Sequence, residues 1–176
     1  TFTYHNVIEA ETSFNGRDLL LTEIEACNSG NTPFTGAAAL ESACDDGETL
    51  TLARSFYQFP MSENWTGTIG AKVRQDQMLG VWPSAYPSDS VLDVLTYAGA
   101  NDAYSLATGV GAGVTWADDN LSASLLFISE NGAASSSQEA TAGGILTSHG
   151  SDDVTGQVAW LGDGITLAAA YTIADN

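Results

Sequence analysis

Basic residues are scarce in this chain. Lys and Arg number 4 against 22 Asp and Glu, for a net charge of −18. A phosphate backbone needs a basic face, so nucleic acid is not an expected partner. Long apolar runs are missing too. No stretch of about 18 apolar residues exists to form a membrane-spanning helix. Thr1 to Ala10 lacks the basic start and apolar centre of a secretory leader, so a mature chain, or part of one, is expected. Histidine is limited to His5 and His149, far apart and without cysteine or acid beside them. Neither is expected to serve catalysis or a metal. There is no G-x-S-x-G elbow and no phosphate-binding glycine loop ahead of a helix. No enzyme and no cofactor are expected.

Cysteine occurs twice, as Cys27 and Cys44, bracketing a loop rich in Gly, Ser, Thr and Ala. Two cysteines closing one loop in a helix-poor acidic chain point to a disulfide and an oxidising compartment. By loop entropy such a bridge is worth roughly 3 kcal/mol. A buried free pair is the alternative. A metal centre is not expected, because two thiols without a nearby histidine fall short of the ligand count. The acid pairs Asp45-Asp46, Asp118-Asp119 and Asp152-Asp153 raise calcium as an idea. None sits in a ligand-spaced loop, and solvated turns are the plainer reading.

What the chain does have is alternation. In E-N-W-T-G-T-I-G-A-K-V-R (63–74), Trp65, Gly67, Ile69, Ala71 and Val73 form an apolar or minimal row. Thr66, Thr68, Gly70, Lys72 and Arg74 form a wet one. Period two is the mark of a strand with one face in an apolar medium. Comparable stretches are Phe2–Ala10, Arg17–Ala26 after the Asn15-Gly16 turn signal, Glu48–Phe59, Ser105–Trp116, Leu121–Ser129, Asp153–Leu161 and Ile165–Ala174. Helix signal is confined to a short stretch at Ser88–Tyr97.

The connections alternate in length. Pro60-Met61-Ser62, Ala117 to Asn120 and Gly162-Asp163-Gly164 are short; Cys27 to Gly47, Gln75 to Tyr104 and Glu130 to Asp152 are long. In an up-and-down antiparallel sheet, one end would then carry tight turns and the other long loops. That asymmetry, with strands of about 9–11 residues, is expected of an outer-membrane barrel. Tyr57, Phe59, Trp65, Trp116 and Trp160 fall near the short-turn ends, where a lipid-facing girdle would lie. Ordinary sandwich-core aromatics give the same spacing. The glycines 109, 111 and 113 suit a lumen, or a sheet against which something packs closely.

Several segments resemble one family. T-S-F-N-G-R-D-L-L-L-T-E-I-E-A (12–26), S-F-Y-Q-F-P-M-S-E-N-W (55–65), N-D-A-Y-S-L (101–106), G-V-G-A-G-V (109–114), G-Q-V-A-W (156–160) and L-A-A-A-Y (167–171) resemble, in order and spacing, the cyanobacterial outer-membrane porins. These are the iron-uptake porin family, related to carbohydrate-selective porins. The resemblance implies a transmembrane β-barrel in the outer membrane, trimeric, passing inorganic ions and small solutes through a water-filled lumen. The surface-layer-homology domain and coiled coil usual in that family are not seen in this sequence. About eight strands are offered, whereas a barrel with an open channel needs roughly sixteen. Residues 1–176 are therefore expected to form one β-barrel porin domain that is the first half of a barrel.

One departure bears on mechanism. The family strand commonly reads Gly-Arg-Asp-Leu-Leu-Arg-Thr-Arg-Leu-Gln-Ala-Gly-Asn. Here Leu21 and Glu23 stand where its later arginines would be, Glu25 where the glutamine would be, and Cys27 where the glycine would be. Carboxylates lining a pore favour cations. Glu23 and Glu25, on one strand face with Arg17, are expected to line a cation-preferring pore, with Lys72 and Arg74 as strand cations that also line it. Trp65, Ile69 and Val73, with Tyr57, Phe59, Trp116 and Trp160, are expected against lipid. Arg54 is ambiguous, since its face also holds Leu50, Leu52 and Phe56. The contrasting expectation is a secreted, acidic, disulfide-closed β-sandwich that serves as a structural or adhesive surface subunit.

Overall fold

The computed structural model describes residues 2–29, 39–41, 44, 49–133 and 143–175. The alternating stretches become eight strands: β1 (His5–Thr12), β2 (Leu19–Cys27), β3 (Thr51–Pro60), β4 (Trp65–Arg74), β5 (Thr108–Ala117), β6 (Leu121–Ser129), β7 (Asp152–Leu161) and β8 (Thr166–Asp175). They form one antiparallel sheet in sequence order, each strand paired to its chain neighbour. Among the described residues no pairing joins β1 to β8, so the sheet is open. Helix is limited to two 3-10 turns, Gln75–Met78 and Asp93–Leu95. The second lies within 88–97, where the sequence pointed to a short helical stretch.

The tight connections 13–18, 61–64, 118–120 and 162–165 lie at one end of the sheet, and 28–50, 75–107 and 130–151 at the other. Local chemistry explains the tight ones. In the first, Gly16 has φ +79°, a conformation glycine adopts without strain. The Asp18 carboxylate accepts from the Ser13 hydroxyl at 2.7 Å and from the Phe14 and Asn15 amides at 3.0 Å each.

Successive side chains on a strand point to opposite faces, so register assigns every residue a side. One face runs Trp65, Trp116, Ala123, Val158, Ala169 across β4 to β8. Two residues along, it runs Gly67, Val114, Leu125, Gly156, Tyr171, and four along, Ile69, Ala112, Phe127, Val154, Ile173. The opposite face carries Thr68, Gly113, Leu126, Thr155 and Thr172 in one rung. We call these the outer and inner faces.

The 75–107 connection folds across the inner face. Gln75 is fully buried. Its side-chain nitrogen donates to the Thr155 hydroxyl at 2.8 Å and the Ala103 carbonyl at 3.0 Å; its side-chain oxygen accepts from the Leu106 amide at 3.2 Å. The Gly80 amide donates to Ser124 Oγ at 2.8 Å, and Gln157 donates to the Tyr104 hydroxyl at 3.0 Å. These bonds satisfy polar groups on both sides of the contact. Around Met78, the residues Leu21, Phe56, Val73, Ala107, Leu126 and Ile128 form the buried apolar cluster. A Cβ at Gly113 would lie 3.0 Å from Met78 Sδ and 3.1 Å from Leu126 Cβ. The folded-in segment thus packs on the sheet at Gly113, whereas a Cβ at Gly109 or Gly111 would meet neighbouring strand residues such as Ser129 and Val73.

Two bulges change what alternation predicts. Gly70 pairs with Gly111 and Val73 with Gly109, so three steps along β4 match two along β5. Val73 consequently turns inward and is fully buried, instead of joining Trp65 and Ile69 on the outer face. Glu23 pairs with Arg54 and Ile24 with Leu52, skipping Ala53. Leu52 and Arg54 therefore lie on opposite faces, which resolves the ambiguity of Arg54.

Candidate functional site

A cleft of about 810 Å³ lies on the inner face, between the β1–β3 wall and the folded-in connection. Strand alternation brings Glu9, Glu23, Glu25 and Arg54 to one side of it. The long connections bring Glu41, Asp76, Ser88 and Asp89, with Arg74 at the end of β4. Six carboxylates and two guanidiniums line the cleft, so its field is negative.

Both arginines are held by acids. Arg74 forms a two-pronged contact with Asp76, Nε to Oδ1 at 2.8 Å and Nη2 to Oδ2 at 2.8 Å. Its Nη1 lies 3.3 Å from Glu41 Oε1, and Nη2 donates to Ser88 Oγ at 3.2 Å. Arg54 Nη1 lies 3.6 Å from Glu23 Oε2. Across the sheet, Glu9 sits directly opposite Glu23, which sits opposite Arg54. His5 Nε2 is 3.0 Å from Glu25 Oε2. Among the described residues no ion pair engages Glu9 or Asp89.

Burial shifts the acids differently. At Asp76 burial opposes the charge, but the Arg74 guanidinium and the Ser88 hydroxyl outweigh it and hold the carboxyl below its ordinary value. At Glu41 burial dominates over the pull of Arg74, and the carboxyl is pushed up.

Of the residues picked out from sequence, Glu23, Glu25 and Arg74 meet in the cleft. Lys72 does not line it: the lysine pairs in register with Ser55 and donates from Nζ to the Leu52 carbonyl at 2.6 Å. Arg17 is exposed in the 13–18 turn, outside β2 and at the other end of the strands. Cys27 and Cys44 form the expected disulfide, with Cα atoms 5.8 Å apart. Glu9, Glu41, Asp76 and Asp89 were not picked out. Glu9 was findable by extending the β1 alternation to its partner strand; the other three depend on how the long connections fold.

The outer face has no cover among the described residues. Ile69, Leu125, Val158, Leu167, Tyr171 and Ile173 are each more than half exposed. Trp65 and Trp116 are directly opposite each other near the tight-turn end; Trp65 and Trp160 are 45% and 43% exposed. Tyr57 and Phe59, partly buried, stack at 5.6 Å near the same end. Isolated exposed apolar residues are ordinary, but a continuous apolar face marks a surface meant for another phase or partner. No helix among the described residues is long and apolar enough to cross a membrane, which says nothing of crossing by strands.

For metals, His5, Glu25 and Cys44 converge within 4.8 Å. The Cys44 sulfur is bonded to Cys27, so it offers no thiolate, and two ligands remain. Asp118 and Asp119 lie in an exposed turn, and Asp152 and Asp153 are buried at the start of β7. Asp45-Asp46 lies outside the described residues.

No protein-family model, no curated protein and no solved structure matches this chain.

Proposed function

We propose that this sheet is part of a transmembrane β-barrel in an outer membrane, a porin passing inorganic ions and small hydrophilic solutes with a preference for cations. The observation that carries the reading is the uncovered apolar outer face. In water it would be an aggregation hazard; in a bilayer it is the lipid contact every spanning strand needs. The tight turns at one end, the long connections at the other and the tryptophans near the turns fit the same setting. Further strands at the open β1 and β8 edges would complete the barrel, since an open edge has no place in lipid. Trimeric assembly, as in the resembling porins, belongs to the same proposal.

Inside, the folded-in 75–107 connection narrows the lumen and leaves the acid-lined cleft as its polar route. Arg54 and Arg74 are neutralised by Glu23, Asp76 and Glu41, so the uncompensated charge comes from carboxylates such as Glu9 and Asp89. Low-dielectric walls focus that field and raise local cation concentration. Reversal potentials across a planar bilayer in a salt gradient test the reading. A cation-favouring potential is expected; a permeability ratio near one, or favouring anions, contradicts the selectivity. A water-soluble 18.3 kDa species without conductance contradicts the porin.

A further inference from the structure

The disulfide is not part of the buried apolar cluster, yet residues 39–41, close to Cys44 in sequence, touch the segment that folds across the inner face. Cys27 ends β2 and is fully buried. Cys44 is bonded to it, and the Ser29 amide donates to the Cys44 carbonyl at 2.8 Å. Three residues before Cys44, the chain pairs with the folded-in connection. Leu40 and Leu92 form an antiparallel bridge. The Glu41 amide donates to the Val91 carbonyl at 3.2 Å, and the Asp93 amide to the Ala39 carbonyl at 3.0 Å. Glu41 then reaches Arg74, which also holds Asp76 and Ser88.

We infer that the disulfide, through residues 39–41 close to Cys44 in sequence, straps residues 91–93 of the folded-in connection in place and so sets the width of the charged cleft. The width part of this inference rests on the pore reading; the strap itself does not. The physical argument is one of loop entropy. Without the bridge, the chain between β2 and β3 must close a longer loop to bring Glu41 to Arg74 and Val91. With the bridge, Glu41 is three residues from a fixed point. Two backbone hydrogen bonds and one largely buried ion pair are enough to hold a pre-placed segment and too few to order a free one.

The test uses the full chain in detergent micelles and then in a planar bilayer. Dithiothreitol supplies two electrons and two protons, opening the bridge to two thiols while itself closing to a cyclic disulfide; alkylation traps the product and mass confirms it. Amide exchange at Glu41 and Asp93 is expected to rise about tenfold or more on opening, while amides in the centres of β5 and β6 keep their protection. Conductance and open-state noise are expected to rise together. Asp93→Pro, which removes the N–H bonded to Ala39 and suits the first position of a 3-10 turn, should raise Glu41 exchange and conductance with the bridge intact; Asp93→Ala, which removes only the carboxylate that accepts from the Tyr97 hydroxyl, separates the two effects. Unchanged exchange after confirmed opening overturns the strap. Raised exchange with unchanged conductance overturns its control of the cleft. Absence of current from the oxidised protein in its completed barrel defeats the pore reading instead, and the exchange result still decides the strap.

Discussion

The Tyr57 hydroxyl donates to Asp18 Oδ2 at 2.6 Å, tying β3 to the first tight turn. The other Asp18 oxygen organises that turn through Ser13, Phe14 and Asn15. One carboxylate thus closes the β1–β2 hairpin and fastens it to the next strand. The Tyr57 bond first, with Ser13 and the Asn15 amide after it, outweighs burial and holds the Asp18 carboxyl well below its ordinary value near 3.8.

A pH dependence follows, and its sign is fixed. A carboxylate with a depressed folded pKa contributes stability that is present above its unfolded value and lost as pH falls through the folded one. The first hairpin is expected to loosen as pH drops below about 3.8. Asp18→Asn should remove that acid-dependent step and weaken the hairpin at neutral pH. Amide exchange in β1 as a function of pH reads both effects. A variant with the wild-type acid profile contradicts the assignment.

Glu9 is the carboxylate whose removal should change selectivity with least structural cost, because no ion pair holds it among the described residues. At about 8 Å in water one charge is worth about 0.5 kcal/mol, roughly a factor of two for a cation and the inverse for an anion. Glu9→Gln is expected to lower the cation-to-anion permeability ratio about fourfold at low salt and less at high salt. An unchanged ratio at low salt would remove Glu9 from the conducting route.

Gln75 is the buried hub between the folded-in connection and β7. Gln75→Ala leaves the Leu106 amide without its partner, while the Thr155 hydroxyl keeps Thr172 at 2.8 Å. Orphaned buried groups cost about 1–3 kcal/mol. The expected result is a looser connection, read as raised exchange at Leu106 and larger conductance. Wild-type behaviour in both would show that the apolar cluster alone holds the segment.

Ile69 tests the outer face. It is 58% exposed in the middle of β4, while its neighbour Thr68 is 6% exposed on the inner face. Arginine on the lipid side near the bilayer midplane costs about 2–4 kcal/mol. Ile69→Arg is expected to shift a folding titration in lipid vesicles by that order. An effect below about 1 kcal/mol would place Ile69 in water.

The fold was largely legible because a two-residue period runs through most of the strands. Leu121–Ser129 appears at its expected bounds, and the other strands within a few residues. Alternation failed where the backbone departs from it. The bulge before Val73 turned an outward residue into a core one, and the skip at Ala53 separated Leu52 from Arg54. Neither has a local signature, since a bulge is set by the partner strand. Asn15-Gly16 marks the turn but not its end, since the turn continues to Asp18 and keeps Arg17 out of the strand. The cleft was only half legible. Glu23 and Glu25 followed from their strand, but Glu41, Asp76 and Asp89 enter through connections whose path depends on long-range bonds such as Gln75 to Thr155. The disulfide was legible from spacing; that its loop grips Val91 and Asp93 was not.

The most direct test of the central claim is quenching of single-tryptophan variants by lipids with brominated acyl chains. Trp65, Trp116 and Trp160 lie on the outer face, while Trp82 belongs to the folded-in connection and packs edge-on against Tyr104 at 5.3 Å. Strong quenching of Trp65, Trp116 and Trp160 with little at Trp82 is the predicted result. Equal and weak quenching of all four would mean that the apolar face is covered by protein, and that this chain does not cross a membrane.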